Sequence, residues 1–240
     1  MIRAHRENLA RSLMARFDRT VRYGPFRGMR LLESSAWSPA AKAPMLLGLY
    51  ERELLHEILT APAHFDTFVD IGAADGYYCV GILFAGRFAR SIAYEMSEAG
   101  RASVRDAAAL NGVTDALEIR GAADGRFYEE LAPDIRDRSV FLIDIEGGEF
   151  DILTRDAFRA LARSVLFVEL HDWVDPNGTR LAALKDNAAA THDVETIVHA
   201  GRDVYQFAEL QEFREDDLWL ICSEGRPHRM SWLKLSPKAS

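Results

Sequence analysis

Phe68-Val69-Asp70-Ile71-Gly72-Ala73-Ala74-Asp75-Gly76-Tyr77 decides the fold of this chain. An apolar run ends in an acid, and two glycines follow, four positions apart. An unbroken apolar run suits a parallel strand covered on both faces. A glycine just after it permits a tight turn and close approach of the backbone to a ligand. The second glycine lets the next helix pack against the strand. The stretch therefore predicts a strand, a sharp turn and a helix, with room for a nucleotide-like ligand at the turn. Its Gly-x-x-x-Gly spacing departs from the Gly-x-Gly-x-x-Gly of dinucleotide sites.

Working outward, Thr67–Ile71 is the first of a series of strands. Ser91–Glu95, Ala116–Arg120, Ser139–Asp144 and Ser164–His171 follow. Helices are expected between them: Gly76–Phe88, one capped by Ser97 and stopped at Asn111-Gly112, and one after Asp144 running to about Leu161. A further helix spans about Thr179–Ala190, and His192–His199 and Asp217–Ser223 read as two last strands. Seven strands interleaved with helices predict an α/β, Rossmann-like, doubly wound sheet.

Ahead of this core, Leu9, Leu13, Phe17 and Val21 recur every fourth residue and predict an amphipathic helix. Its apolar stripe needs a partner, either the main domain or a second subunit. Tyr23–Gly28 reads as a turn or short hairpin, Pro39–Pro44 as a loop and Leu46–Leu59 as a helix. The expected division is an N-terminal helical or cap extension over 1–60 and a catalytic domain over 61–240.

The chain has 240 residues and 48% hydrophobic content, enough for one large domain with a real core. A mean hydropathy of −0.13 is that of an ordinary globular protein. The net charge of −8 argues against a nucleic-acid partner, whose phosphates need a basic surface. Arginines nevertheless crowd the first 27 residues, from Arg3 to Arg27. No run is long enough to span a bilayer, and the N-terminus lacks the apolar core of a signal peptide. Cys79 and Cys222 stand in no metal spacing and are expected as buried thiols of a cytoplasmic protein.

Two further strings sharpen the reading. One is Phe141-Leu142-Ile143-Asp144-Ile145-Glu146-Gly147-Gly148-Glu149-Phe150; the other is Leu166-Phe167-Val168-Glu169-Leu170-His171. The Asp-x-Gly-x-x-x-Gly segment resembles the first motif of class I S-adenosylmethionine (SAM)-dependent methyltransferases. The Ile-Asp-Ile-Glu-Gly-Gly-Glu-Phe string resembles the signature of the FkbM family of these enzymes, and the Glu-x-His string is similar to that family's next strand. The resemblance covers roughly Leu47 to Ser223. It implies strand order 3-2-1-4-5-7-6 with strand 7 antiparallel. It also implies SAM as cofactor and O-methylation of a small molecule, natural product or sugar. The acceptor itself stays unnamed. Asp-Ile-Glu-Gly after strand 4, where N-methyltransferases often carry Asn-Pro-Pro-Tyr, favours oxygen.

Ligands of open α/β sheets bind beyond the carboxyl ends of the strands. Here those ends are Asp70, Glu95, Gly121, Asp144 and His171. The expected cofactor-binding set is Asp70, Gly72, Ala73, Gly76, Tyr77, Glu95, Ala122, Asp124 and Asp144. The Gly72–Gly76 loop would cradle the methionine end, with Asp70 accepting from its amino group and Tyr77 near its carboxylate. Glu95 can accept both ribose hydroxyls. Ala122 leaves space for a flat adenine ring, and Asp124 can accept from its amino group. Glu51 reads as a surface acid or a reach from the preceding helix.

Asp144, Glu169 and His171 are the expected catalytic residues. Asp144 shares parity with Glu146, and Glu169 with His171, on strands about 5 Å apart. A hydroxyl acceptor must lose its proton, which calls for a base or a metal. Three readings stay open. His171 is the base, oriented by an acid; or Asp144, Glu169 and His171 ligate a divalent ion; or these groups only tie down the strand-end loops. Glu149 reads as a first-turn acid facing the helix dipole. Asp172 and Trp173 are expected to line the acceptor pocket. Two other function classes compete: an NAD-dependent oxidoreductase, and a non-catalytic SAM- or nucleotide-binding protein. A homo-oligomer is a further expectation.

Overall fold

The computed structural model describes residues 2–33, 39–226 and 228–239. In chain order the helices are α1 (Ile2–Arg16), α2 (Lys42–Leu46), α3 (Arg52–Leu59), α4 (Tyr77–Phe84) and α5 (Glu98–Asn111). After them come α6 (Pro133–Arg136), α7 (Glu149–Ile152), α8 (Arg155–Ala160), α9 (Thr179–Ala188) and α10 (Glu215–Cys222). The strands are β1 (Thr67–Ile71), β2 (Arg90–Tyr94), β3 (Leu117–Arg120), β4 (Ser139–Ile143), β5 (Val165–Glu169), β6 (His192–Val198) and β7 (Ser231–Pro237). They form one seven-stranded sheet in the order β3-β2-β1-β4-β5-β7-β6. The first five strands are parallel, and β7 runs antiparallel to both β5 and β6. The strand order changes direction between β1 and β4, so the crevice above their carboxyl ends is the ligand position of a doubly wound sheet.

Side-chain alternation divides the core in two. Phe68, Ala93, Val140, Leu142, Val165, Phe167 and Trp232 face the side covered by α1, α3, α4, α5 and α10. Val69, Ile71, Ile92, Phe141, Ile143, Leu166 and Leu233 face the side of Phe158, Leu161, Leu184 and Ala188. The central strands are buried on both faces, which is why they read as continuous apolar runs.

The α5 helix begins and ends at the expected residues. Ser97 Oγ accepts from Gly100 N–H, and Gly112 closes the helix at φ +70°. The turn over 23–28 is also found, closed by a bridge between Thr20 and Arg30. The partner of α1 is the rest of the chain. Leu9, Ala10, Leu13 and Met14 are buried, His5 meets Asp217 at 2.6 Å, and Arg6 donates to the carbonyl of Ser223 at 2.8 Å. The helix stops at Arg16, because Asp18 and Arg19 adopt positive φ, so Phe17 and Val21 are buried outside it.

Four expected elements differ. Pro39–Pro44, expected as a loop, is a single 3-10 turn over Pro39–Ala41 that runs into α2. Asp217–Ser223 is not a strand: it lies within α10, and the seventh strand is Ser231–Pro237. Glu215, Asp216 and Asp217 fill the first turn of α10, where the helix dipole favours acids. Leu218, Ile221 and Cys222, at spacings of three and four, turn inward while Trp219 is exposed. The helix expected over Leu46–Leu59 is divided between α2 and α3, because Gly48 and Glu51 both take positive φ. The helix after β4 is likewise two, with Thr154 capping the second by accepting from Ala157 N–H.

Candidate functional site

Gly72 leaves β1 at φ +98°, and a Cβ there would overlap the carbonyl oxygen of Asp144. The β1 turn and the β4 turn therefore touch backbone to backbone. Gly72 and Ala73 both donate to the carbonyl of Tyr94, at 2.9 and 3.0 Å, and Ala74 donates to Glu95 Oε2 at 3.0 Å. Glu95 Oε1 also accepts from Ser97 N–H at 2.8 Å. Its carboxylate is thus fixed beside the glycine loop with lone pairs left for a further donor. Gly76, at φ +85°, brings α4 close to Val104 of α5.

Asp70 is almost fully buried and accepts from Cys79 N–H at 3.1 Å, binding β1 to the first turn of α4. Burial pushes its carboxyl up to about 7, against the opposing pull of that N–H. Tyr77 is buried and packs edge-on against Phe26, Tyr50 and Tyr78. On the far side of the crevice Ala122 and Asp124 are exposed, and Asp124 caps the next turn by accepting from Arg126 N–H at 2.7 Å. Met96, directly after Glu95, has 79% of its surface exposed. Lys42 reaches from α2 to Asp75 of the glycine loop at 2.8 Å, in an ion pair nearly closed to solvent.

The acids and imidazole of β4 and β5 converge. Asp144 and Glu169 each stand one residue past the Ile143–Val168 register pair or its partner. Ligand atoms of Asp144, Glu169 and His171 all lie within 4.8 Å of one another. His171 Nε2 is 3.5 Å from Asp144 Oδ1 and 3.7 Å from Glu146 Oε2. Its Nδ1 meets Glu149 Oε1 at 3.2 Å, and that same oxygen accepts from His171 backbone N–H at 3.1 Å. The other oxygen of Glu149 accepts from Gly147 N–H at 2.8 Å, and Glu149 has no exposed surface.

Protonation follows from these contacts. Burial, and then the charge of Asp144, push Glu169 well above the usual carboxylate range, so its O–H donates to Asp144. Burial also raises Asp144, against the pull of that hydrogen bond and of His171. At His171 burial opposes the imidazolium, but the hydrogen bond and charge of Glu149, with Asp144 and Glu146, outweigh it and raise the pKa.

Arg226, from the loop before β7, holds three buried acids. Nη1 donates to Glu169, Nη2 pairs with Glu51, and Nε donates to Glu224 Oε2 at 3.0 Å. Glu51 is almost fully buried and accepts from Tyr78 O–H at 2.6 Å, so it is an internal anchor and not a surface acid. Sequence reading missed Arg226, Glu224 and Lys42, and took Glu149 for a dipole partner alone. Arg226 lies 57 residues from Glu169, so no local pattern announces it. An acid directly after a Gly-Gly pair, shortly past a strand-end acid, was the available signal for Glu149. Trp173 is 43% exposed, with its ring 5.0 Å from that of His171.

No protein-family model matches the chain, and no curated protein matches it. Solved structures do. The TrmK tRNA (m1A22) methyltransferase of Bacillus subtilis superposes with a TM-score of 0.51 at 10% identity, over 77% of this chain and 65% of that one. A precorrin-6y C5,15-methyltransferase of Geobacter metallireducens gives 0.51 at 14% identity, over 79% and 89%. A putative tRNA (m1A22) methyltransferase of Streptococcus pneumoniae, in complex with S-adenosyl-L-methionine, gives 0.50 at 16%, over 78% and 73%. The chain has the Rossmann-like fold of class I methyltransferases. These identities show the fold alone.

Among the described residues, no helix is long and apolar enough to cross a membrane.

Proposed function

We propose that the chain is a SAM-dependent methyltransferase of the FkbM type that methylates a hydroxyl of a small molecule or glycan. The observation that carries the reading is the contact of two turns: the glycine loop after β1 lies against the Asp144 turn that opens the acid–imidazole cluster. A cofactor held by the first would present its reactive end to the second. Bound there, SAM would supply a methyl group already activated on a sulfonium.

The chain's own part is binding, orientation and proton movement. Glu95, anchored by Ala74 and Ser97, offers its free lone pairs to the ribose hydroxyls. Met96 offers an apolar face beside it, and Ala122 and Asp124 border the adenine position. The Gly72, Ala73 and Gly76 turn approaches the methionine end. Asp70 acts on that end through α4, since its own carboxylate is committed to Cys79. Tyr77 supports the loop by packing.

His171 Nε2 would accept the proton of the acceptor hydroxyl, and SAM, held by the glycine loop and Glu95, would supply the methyl group that the oxygen takes. Glu149 on Nδ1 fixes the ring and supports the imidazolium that results. Alignment of the two reacting groups supplies much of the effect. Asp144, hydrogen-bonded to Glu169, lies between the ring and the glycine loop.

The same residues fit a divalent ion. A histidine whose Nδ1 is held by a buried carboxylate and whose Nε2 faces an acid has the second-shell support that metal-bound imidazoles show. Asp144, Glu169 and His171 would be its ligands, and it would acidify a coordinated hydroxyl. The proposed setting is the cytoplasm, where both free thiols stay reduced.

Isothermal titration with SAM and S-adenosylhomocysteine, on EDTA-treated protein and again with Mn²⁺, tests the reading. Binding of either supports it, and a separate Mn²⁺ isotherm lost in His171→Ala supports the metal. Binding of NAD without either sulfur compound overturns it. Transfer of labelled methyl to bulk tRNA and to no small hydroxyl compound overturns the acceptor class.

A further inference from the structure

A cavity of about 460 Å³ lies between the segment after β6, the end of α10 and the loop before β7. Arg226 lines it and also holds Glu169. His228 lines it too, and its ring is 6.2 Å from Trp173, whose ring contacts that of His171. The cavity thus adjoins the acid–imidazole cluster, through Arg226 directly and through His228 by way of Trp173.

Three arginines line it, Arg202, Arg226 and Arg229, with one acid, Glu224, and further acids behind the lining, Glu51, Glu53 and Glu169, pair with the first two. Glu224 is spent. Its side chain is 2% exposed, and it accepts from Arg202, His199, Arg226 and the backbone N–H of Glu51. The terminal nitrogens of Arg202 are likewise engaged by Glu53 and Glu224. Arg229 is different. Among the described residues its only hydrogen bonds are to the carbonyl of His199, at 3.0 and 2.8 Å, and it pairs with no carboxylate. A guanidinium has five N–H donors, so Arg229 keeps several for a ligand. His228 makes no ion pair there either. Trp219, 52% exposed, adds a flat apolar wall.

We infer that this cavity is the acceptor subsite and that the acceptor carries an anionic group, a carboxylate or a phosphate, on a ring that lies against Trp219. Arg229 binds the anion as a charge-assisted fork, and His228 adds a second donor. The acids behind Arg226 and Arg202 fix those side chains and offset their charge, so Arg229 is the cation of the lining with no carboxylate partner among the described residues. Methyl transfer then falls on a hydroxyl held toward His171. The assignment rests on the methyltransferase reading for its chemistry, but the anion site stands on its own geometry.

The test titrates the full chain with benzoate, phenyl phosphate and benzyl alcohol, without and with saturating S-adenosylhomocysteine, by isothermal calorimetry. The expected result is binding of at least one charged ring about tenfold tighter than the neutral alcohol. Arg229→Gln should remove most of that preference and leave the melting temperature and S-adenosylhomocysteine binding unchanged. Which of the two anions binds more tightly distinguishes a carboxylate acceptor from a phosphorylated one. Equal affinity for all three rings, no binding of either charged ring, or a preference that survives Arg229→Gln overturns the anion site. Failure of S-adenosylhomocysteine to bind while the charged rings still do overturns the methyltransferase reading and leaves the anion site standing.

Discussion

One oxygen of Glu149 accepts from both the backbone N–H and the ring Nδ1 of His171. The acid is fully enclosed, so the imidazole is held at two points by a group that water does not reach. Glu149→Ala would leave two buried donors of His171 and the N–H of Gly147 unsatisfied. The expected cost is about 1–3 kcal/mol of stability. Activity should fall roughly 10–100-fold, as for other groups that orient a working histidine. Glu149→Gln should recover most of the stability and less of the activity. Chemical denaturation and initial rates on the same preparations compare the two.

The same acid sets a pH dependence. His171 is raised above its ordinary value. A base must be neutral to accept a proton, so activity should climb with pH through a midpoint above about 6.5, the usual histidine value. In Glu149→Gln the midpoint should move down. Its contribution to stability has the opposite sense: it is complete below about 6.5 and is lost as pH rises through the folded value. Rate–pH profiles of both proteins show the shift, and an unmoved midpoint would remove His171 from the role.

Asp70 gives a second, separable effect. Its carboxyl rises to about 7 in the fold, so the native state binds a proton that the unfolded chain releases near pH 4. Stability should therefore fall as pH rises between those values, by at most about 4 kcal/mol. Asp70→Asn keeps an acceptor for Cys79 N–H and carries no charge. The variant should flatten the decline, measured as melting temperature from pH 4 to 8.

Gly72→Ala should be the most damaging small substitution in the chain. The residue sits at φ +98°, where an L side chain is strained by about 1–2 kcal/mol, and its new methyl meets the Asp144 carbonyl. A lowered melting temperature with lost S-adenosylhomocysteine binding is expected. Gly86→Ala, also at positive φ but with open space around its Cβ, isolates the backbone share of the cost.

Arg226→Gln removes one cation from three buried acids. Breaking such a cluster costs about 3–5 kcal/mol, because the acids stay behind uncompensated. Arg226→Lys keeps the cation and should recover part of the loss, read as melting temperature. Equal losses in the two variants would argue that the charge is not what holds the acids.

The sheet was legible because its determinants are local. The central strands β1, β4 and β5 announce themselves as apolar runs, and Ser97 and Gly112 mark the ends of α5 with the residues those positions require. The last strand was misplaced because Leu218-Trp219-Leu220-Ile221-Cys222 is apolar enough for either state. Tertiary burial of one helical face, with acids at the helix start, decides for α10. Asp144, Glu169 and His171 could be grouped in advance from strand ends, strand parity and the resemblance together. Arg226 and Lys42 could not, because each meets its acid only after the chain has folded back from a distant loop or from the N-terminal segment. The function of Glu149 was hidden differently: its position names a helix start, and only its burial shows the second use.

The absence of a side chain at Gly72 has a consequence for the rigidity of the crevice. With the carbonyl of Asp144 occupying that space, the two turns share one boundary and have no slack between them. The position of the first is thereby the position of the second, and the crevice is held open by backbone contact with no side chain between its two halves.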